Sequence, residues 1–343
     1  MAIRGLTWEN DMTIDIALEA ARWAPSVHNT QPWTFAVTGQ EIAVRASTDR
    51  KLALEDPGGR EMLISCGAAV FNLRTALRQA GREPIVRILP DPDRPSLLAT
   101  VRLGEAVEPD EHTSMLAGQI EVRRTHRAGF TETPVPERLV AQWQREAATE
   151  GATFTPVGAP AAVRALAALT EAAQAVQSQD WPFTLEVMRW ARPPGSTRGD
   201  GVPADSYPKR PADADLEQPT GAYPEQPSGE FAQRDFAHQH PWGTDTDQSM
   251  SRATGVVALL TTREDTREAW LAAGQALQHV LLHASAHGVS AAFHTQALEE
   301  PHLRDFLRQR MCAGAYPQML MRLGIAADES HGVRRPLTDL TDP

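Results

Sequence analysis

The chain has few of the features that assign a protein to a specialised class. Only two cysteines, Cys66 and Cys312, occur in 343 residues, which excludes a disulfide framework and suits a reducing compartment such as the cytoplasm. No stretch approaches about 18 uncharged apolar residues, so we expect no membrane-spanning helix. The segment from Met1 to Thr13 lacks the basic and apolar parts of a signal peptide, which favours a cytoplasmic location.

Basic residues are also in the minority. The chain has 33 Lys and Arg against 44 Asp and Glu, a formal net charge of −11, so we expect no general attraction to nucleic acid or to an anionic membrane. A local basic pocket remains compatible with this balance. Neither a Gly-x-Gly-x-x-Gly fingerprint nor a P-loop occurs, which removes the usual sequence support for a nucleotide-binding domain. Hydrophobic residues make up 41% of the chain, enough for a sizeable core.

Two helix-like segments in different halves of the chain resemble each other. Cys66–Gly81 and Ala273–Gly288 both begin with a small residue and Gly and end in Gly, the usual helix stop. Each precedes a pair of strands, whose last members contain Val101–Gly104 and Met321–Gly324. This repetition indicates two related α+β units in tandem. A chance likeness between two amphipathic helices is the alternative that stays open.

One long segment, from Arg192 to Asp247, breaks the regular pattern. It is dense in Pro, Gly, Asp and Gln and has little apolar periodicity. A loop of this length is typical of a functional lid or of a disordered linker. The segment nevertheless contains five aromatic residues, which favour docking and therefore a lid: Tyr207, Tyr223, Phe231, Phe236 and Trp242.

Three polar clusters carry the candidate chemistry. The first is the loop Ala24-Pro25-Ser26-Val27-His28-Asn29-Thr30-Gln31-Pro32-Trp33, whose side-chain and backbone groups suit a heteroaromatic ring. The second is Arg123-Arg124-Thr125-His126-Arg127, which offers bidentate contacts to a phosphate. The third is Arg334-Arg335-Pro336. Arginine runs also occur as solvated faces, and that interpretation stays open for the second and third clusters.

Two other kinds of site find little support. Ser26 and His28 suggest a nucleophilic pair, but no Gly-x-Ser-x-Gly elbow is present and residues two apart on a turn seldom face each other. His279, His283 and His287 share one helical face, but no His-Glu-x-x-His pattern or nearby carboxylate cluster accompanies them. We therefore expect no metal site, and we interpret this stripe as a polar face turned towards the lid.

The three polar clusters together resemble the nitroreductase superfamily of FMN-dependent oxidoreductases. In that family an Arg-Arg-Ser-x-Arg-like run and a late Arg-x-Pro bind the FMN phosphate, and an Ala-Pro-Ser-x-x-Asn-x-Gln-Pro-Trp loop of the partner subunit contacts the flavin ring. Ala24–Trp33 matches that loop, and Arg123–Arg127 matches the run with Thr125 in place of Ser. The resemblance covers most of the chain outside 192–247.

The resemblance implies a role for each matched residue. It assigns the phosphate to Arg123, Arg124, Thr125, Arg334 and Arg335, and places Arg127 near the pyrimidine edge of the ring. It assigns the ring system to the loop residues, with Ser26 and Asn29 donating or accepting hydrogen bonds: Pro25, Ser26, Val27, His28 and Asn29. Backbone N–H groups of Thr295 and Gln296 correspond to the family's contact near N5. No catalytic acid is identified.

The order of the motifs departs from that of an ordinary family member, in which the arginine run precedes the loop and a homodimer builds two flavin sites. Here the first half has the loop without the run, and the second half has the run without the loop, its corresponding stretch being Ala147 to Val157. This looks like the Acg-type branch of single-chain dimer mimics. The implied α+β fold has two nitroreductase-like units, 1–118 and 119–343, that form an intramolecular pseudo-dimer with a lid insertion at 192–247.

The resemblance predicts one FMN per chain and an oxidoreductase acting on a small organic substrate. NADH or NADPH would bind transiently over the flavin as the donor. The alternative is a non-catalytic flavin-storage or sequestering protein whose lid stays closed. Because the dimer interface is internalised, the chain is free to exist as a monomer.

Overall fold

Two four-stranded antiparallel sheets with the same strand order form the frame of the molecule. The computed structural model describes residues 2–207, 209, 231–238, 240, 242–244, 255–327 and 332–341. Its strands are β1 (Trp33–Thr38), β2 (Glu41–Ala46), β3 (Arg82–Ile88), β4 (Leu97–Ala106), β5 (Thr153–Pro156), β6 (Ala191–Arg192), β7 (Val202–Pro203), β8 (Val256–Thr262), β9 (Ser290–Phe293) and β10 (Tyr316–Gly324). The first sheet has the order β1-β2-β4-β3 and the second the order β5-β8-β10-β9.

The helices recur around the sheets in the same sequence. They are α1 (Ala2–Arg22), α2 (Arg60–Gln79), α3 (Glu111–Ala117), α4 (Glu137–Thr149), α5 (Pro160–Gln179), α6 (Trp181–Trp190), α7 (Arg267–Ala286), α8 (Gln296–Glu299) and α9 (Pro301–Arg310). The first half runs α1-β1-β2-α2-β3-β4. The second runs α4-β5-β8-α7-β9-β10, with α5, α6, β6 and β7 between β5 and β8 and with α8 and α9 between β9 and β10. The protein therefore has a mixed α/β fold. No helix in the described ranges combines the length and apolar character needed to cross a bilayer.

Helices α2 and α7 pack against each other at the centre, and two glycines permit their close approach. A Cβ on Gly67 would lie 2.2 Å from the Leu271 carbonyl oxygen, and one on Gly274 would lie 2.0 Å from the Ile64 carbonyl oxygen. Any larger residue at either position would force the helices apart. The glycine near the start of each helix pattern is therefore what allows α2 and α7 to pack closely. Asn72 and Gln278 add a buried hydrogen bond of 2.7 Å across this contact.

The described part of the 192–247 segment packs against the body. Tyr207, Phe231 and Phe236 are buried. Tyr207 and Phe236 share an apolar cluster with α6, whereas Phe231 joins a cluster with α5, α8 and α9. Trp242 is partly buried against the α6 cluster, and Tyr223 lies outside the described residues. The aromatic residues of this segment that the structure describes therefore dock on the fold.

Candidate functional site

A cavity lies between segments from both halves of the chain. It encloses about 100 Å³, and its apolar floor comes from α2, α7 and the second sheet: Ile64, Ala68, Leu277, Phe293 and Met319. Eight residues named from the sequence line it: Pro25, Ser26, Val27, His28, Thr125, Arg127, Thr295 and Gln296. Gln233, Arg234 and Phe236 complete its wall from the 192–247 segment. The fold thus brings the loop and the arginine run together although about 100 residues separate them.

The loop after α1 has an unusual backbone. His28, Asn29 and Gln31 have positive φ angles of 45°, 56° and 48°, a region that costs free energy for residues other than Gly. Hydrogen bonds hold this conformation: the backbone N–H of Gln31 donates to Ser26 Oγ at 2.9 Å, and the N–H of Val27 donates to Ser65 Oγ at 3.2 Å. The result is a rigid loop that turns His28 towards the cavity.

Beside the cavity, arginines from distant segments converge on Trp23. The guanidinium groups of Arg123 and Arg334 both donate to the Trp23 carbonyl oxygen, at 3.3 and 3.0 Å. Those of Arg124 and Arg334 lie 4.9 and 5.4 Å from the centre of the Trp23 ring. Arg123 also reaches Thr125 Oγ1, at 3.5 Å, and Thr125 lines the cavity.

Arg123 and Arg334 have no acidic partner among the residues that the structure describes. Burial and the neighbouring Arg124 and Arg127 lower the pKa of Arg123 to about 9. Burial and the same group of cations lower the pKa of Arg334 well below its usual range. The Nε atoms of Arg123 and Arg334 are shielded from solvent and make no hydrogen bond. Buried cations with unused donors fit an anionic ligand group such as a phosphate.

Five predicted site residues do not line the cavity: Arg123 and Arg334, which lie beside it, and Asn29, Arg124 and Arg335. Asn29 uses its side chain within the protein: Nδ2 donates to the Gly201 and Val333 carbonyls at 3.0 and 3.1 Å, and Oδ1 accepts from Arg334 Nη1 at 3.2 Å. Arg335 donates its backbone N–H to Gln31 Oε1 at 2.8 Å and its guanidinium to the Asp339 carbonyl. Arg124 donates to the carbonyl of Arg123. In this structure Asn29 positions Arg334 instead of contacting the space for a ring.

A second charged group borders the cavity, and sequence reasoning missed it. His28 Nε2 lies 2.6 Å from Glu55 Oε2, and Arg234 forms ion pairs with Glu55, at 3.5 Å, and with Glu299. Carboxylate oxygens of Glu55, Glu61 and Glu299 lie within 4.8 Å of one another. No local pattern joins these residues, because His28, Arg234 and Glu299 lie in distant parts of the chain.

The electrostatics of this group favour a neutral histidine and a protonated glutamic acid. Burial, and then the charge of Arg234, lower the pKa of His28 to about 3. Burial raises the pKa of Glu55 well above its usual range; the charge of Arg234 opposes this shift, and the nearby carboxylates add to it. Burial alone would lower the pKa of Arg234, but Glu299 and Glu55 raise it. His28 and Glu55 therefore share one proton at the cavity wall.

The histidine stripe of α7 is placed differently from the prediction. Among the residues that the structure describes, it faces α3 and α4 and not the 192–247 segment: His279 Nε2 lies 2.7 Å from Glu146 Oε2, and His283 Nδ1 accepts a hydrogen bond of 3.2 Å from Trp143. The expectation that no carboxylate lies nearby is also wrong, because Glu150 is 3.6 Å from His279 Nδ1. Helical spacing showed that the histidines share a face but not which helix meets it.

Comparison with known proteins gives relatives that extend over most of the chain. The chain is 34% identical over 318 residues to "Putative NAD(P)H nitroreductase Rv3131" of Mycobacterium tuberculosis, covering 92% of this chain and 85% of that protein. It is 28% identical over 320 residues to "Putative NAD(P)H nitroreductase acg" of the same organism, covering 92% and 89%. The FMN-dependent nitroreductase NfnB from Mycobacterium smegmatis, solved in complex with NADPH, matches with 19% identity and a TM-score of 0.37, over 67% of this chain and 98% of that chain. No protein-family model matches the chain.

Proposed function

The chain belongs to the NAD(P)H nitroreductase family, and from this membership and the geometry of the cavity we propose that it is an FMN-binding oxidoreductase. The family resemblance recognised in the sequence, including its likeness to acg, is thereby confirmed. The relatives' names specify NAD(P)H, so we propose NADH or NADPH as the donor and a small organic molecule as the acceptor. When bound, FMN supplies the hydride chemistry, and the protein supplies binding, orientation and charge.

The arginines beside the cavity, Arg123 and Arg334, which have no acidic partner in the part of the chain that the structure describes, are the observation that carries this proposal. Arg123 and Arg334 would bind the phosphate through their free Nε donors, and Thr125 would add a hydroxyl next to Arg123. Arg124 would contribute charge from its position against Trp23. A phosphate would satisfy donors that are otherwise buried without partners, which is why these residues fit the group.

The cavity itself suits the ring system. Its floor is apolar, and Arg127 lines its wall without an acidic partner among the described residues, so that this cation could stabilise negative charge on the pyrimidine edge. Ser26, Thr295 and Gln296 also line the cavity, and their contacts with the ring remain predictions. His28 and Glu55 hold a proton between Nε2 and Oε2 at the same wall, available to a substrate that takes up a proton on reduction.

The 192–247 segment would act as a lid over the ring. Phe236 packs edge-to-face on His28, with ring centroids 5.2 Å apart, and Gln233 and Arg234 line the cavity with it. The enclosed volume of about 100 Å³ is smaller than the roughly 300–1,000 Å³ of most ligand pockets. We therefore expect residues 231–238 to move outwards when a flavin binds.

We propose one flavin site per chain and a fold of two nitroreductase-like units that form an intramolecular pseudo-dimer. Residues 23–32 connect α1 to β1, whereas only residues 150–152 connect α4 to β5, the corresponding position in the second half. The second half thus has no room for a counterpart of the ring-binding loop. Quantifying released flavin against protein should give one FMN per chain, and two per chain would contradict the loss of the second site.

Ligand titration tests the phosphate site directly. Arg123→Ala and Arg334→Ala should each weaken FMN binding about tenfold to a hundredfold, because a charged hydrogen bond contributes roughly 1.5–3 kcal/mol. Riboflavin lacks the phosphate, so its weaker binding should change little in either variant. Arg94→Ala is the matched control, since Arg94 is exposed and paired only with Asp91. Flavin fluorescence measures all the affinities, and FMN binding by both site variants at wild-type strength would contradict the proposal.

A second measurement separates an oxidoreductase from a flavin store. Anaerobic addition of NADH or NADPH to the flavin-loaded protein should bleach the flavin absorption at a catalytic rate, followed by recovery on addition of a nitroaromatic or quinone acceptor. A flavin that stays oxidised with both donors would favour storage behind a closed lid.

A further inference from the structure

A cluster of histidines and glutamates lies where the connection between the two halves meets the second half. His112 belongs to α3, Glu146 to α4 and His279 to α7. Their ligand atoms lie within 4.8 Å of one another, and none of the three lines the flavin cavity. We propose that His112, Glu146 and His279 bind a divalent transition-metal ion of the Zn²⁺ type.

The spacing of the three ligand atoms supports this assignment. Nitrogen and oxygen ligands lie about 2.0–2.2 Å from a tetrahedral Zn²⁺, which places neighbouring ligand atoms about 3.3 Å apart. His112 Nε2 and His279 Nε2 are 3.2 Å apart, and Glu146 Oε2 lies 3.6 Å from the first and 2.7 Å from the second. Side-chain shifts of less than about 1 Å would therefore accommodate the ion.

The surroundings orient the ligands as a metal site requires. A ligating histidine usually donates its other ring N–H to a carboxylate, which fixes the tautomer. His279 Nδ1 is buried without a hydrogen bond, and Glu150 Oε1 is 3.6 Å away, held by Arg74 at 2.6 Å. The second oxygen of Glu146 accepts from Gln142, which leaves Oε2 facing the two histidines.

The solvent access of the cluster and the type of its ligand atoms also suit a transition-metal ion. The side chain of His112 is 42% exposed, so an ion can enter from solvent and water can occupy a fourth position. Two imidazoles and one carboxylate suit Zn²⁺, Co²⁺ or Ni²⁺ rather than Mg²⁺ or Ca²⁺, which prefer oxygen. An ion at this position would connect α3, α4 and α7 and stabilise the packing of α3 against the second half.

Metal titration of the untagged, flavin-loaded full chain after treatment with a chelator tests the site. Calorimetry with Zn²⁺ should give one equivalent per chain, and Co²⁺ should give the visible absorption of a low-coordinate site. His112→Ala removes a half-exposed ligand with little effect on the core, and it should weaken Zn²⁺ binding by at least about 100-fold. Glu150→Gln, which changes only the orienting carboxylate, should weaken binding about 10–100-fold.

His287→Ala is the matched control, because His287 directly follows the last residue of α7 and contacts His283 instead of the cluster. It should bind Zn²⁺ like the wild type. Absence of stoichiometric binding by the wild type, or unchanged affinity in His112→Ala, would overturn the proposal and leave the cluster as a hydrogen-bonded histidine–glutamate network. A loss in His287→Ala equal to that in His112→Ala would do the same, because it would show that binding does not depend on the three ligands.

Discussion

Two buried arginines of the same site have opposite surroundings. Arg234 lies between Glu55 and Glu299, whose carboxylates raise its pKa. Arg123 has only other arginines as charged neighbours among the described residues, and burial with their repulsion lowers its pKa to about 9. The fold therefore places acidic side chains beside Arg234, but it places none beside Arg123 among the described residues. The difference supports our proposal that Arg123 binds an anionic ligand, whereas Arg234 belongs to the charge balance of the fold.

The different surroundings of Arg234 and Arg123 have a consequence for stability. Removal of one partner from a buried ion pair leaves an uncompensated charge and typically costs about 3–5 kcal/mol. Removal of a buried cation that has no partner leaves no such charge behind. The two arginines should therefore respond in opposite ways to the same substitution in the flavin-free protein.

The largest expected effect is the loss of stability in Arg234→Met. This substitution keeps much of the side-chain volume but leaves the buried Glu299 carboxylate without its cation, so the free energy of unfolding should fall by about 3–5 kcal/mol. Arg123→Met should leave the stability of the flavin-free protein unchanged or higher, because it removes repulsion among cations. Urea unfolding at pH 7 measures both. Equal losses in the two variants would contradict the assignment of the arginines to different roles.

Simple anions should stabilise the flavin-free protein through the arginine site, with a smaller effect than that of Arg234→Met. Sulfate or phosphate can occupy the arginine site in the flavin-free protein, and an anion at ten times its Kd stabilises the folded state by about 1.4 kcal/mol. We expect the melting temperature of the wild type to rise by a few degrees in sulfate, compared with NaCl of equal ionic strength.

The same sulfate effect should disappear in Arg123→Ala and Arg334→Ala and persist in Arg94→Ala. Differential scanning fluorimetry across a sulfate series gives all four responses. An increase of the same size in every variant would mean that sulfate acts through general exclusion from the protein surface and not through this site.

The contiguous segments of the candidate site could be predicted from the sequence. The loop Ala24–Trp33 and the run Arg123–Arg127 are contiguous, so their composition alone marks them as candidates, and eight of the predicted residues line one cavity. The repeated helix patterns likewise predicted α2 and α7, since Gly67 and Gly274 have a local signature that reflects their close contact.

The acidic part of the site could not be predicted from local sequence. Glu55 lies in a turn before α2, Arg234 in a segment without periodicity, and Glu299 in a one-turn helix, and only the packing of the chain brings them together. Asn29 shows the same limit within a recognised motif. Its loop was correctly identified, but the direction of its side chain depends on Val333 and Arg334, about 300 residues away.

The smallest expected effect concerns the pH dependence of stability at Glu55. Its pKa is raised in the folded protein, chiefly by burial, so the folded state keeps the proton at pH values where the unfolded state has released it. The contribution of this group to stability is therefore full below the unfolded pKa of about 4.3 and is lost as the pH rises towards the folded pKa. Glu55→Gln mimics the protonated acid, so it should remove the contribution of Glu55 to the fall of the free energy of unfolding with rising pH.

The wild type should lose stability between about pH 5 and pH 8 more steeply than Glu55→Gln does, and the variant should be at least as stable at pH 8. Asp56 and Glu61 also have raised pKa values from burial, so the variant should retain a slope of the same sign but smaller. Glu137→Gln, on the exposed start of α4, is the matched control. Urea unfolding at several pH values gives the slopes. If Glu55→Gln instead lowers stability at pH 8, Glu55 is ionised and serves Arg234 as a counter-ion, and the shared proton with His28 does not exist.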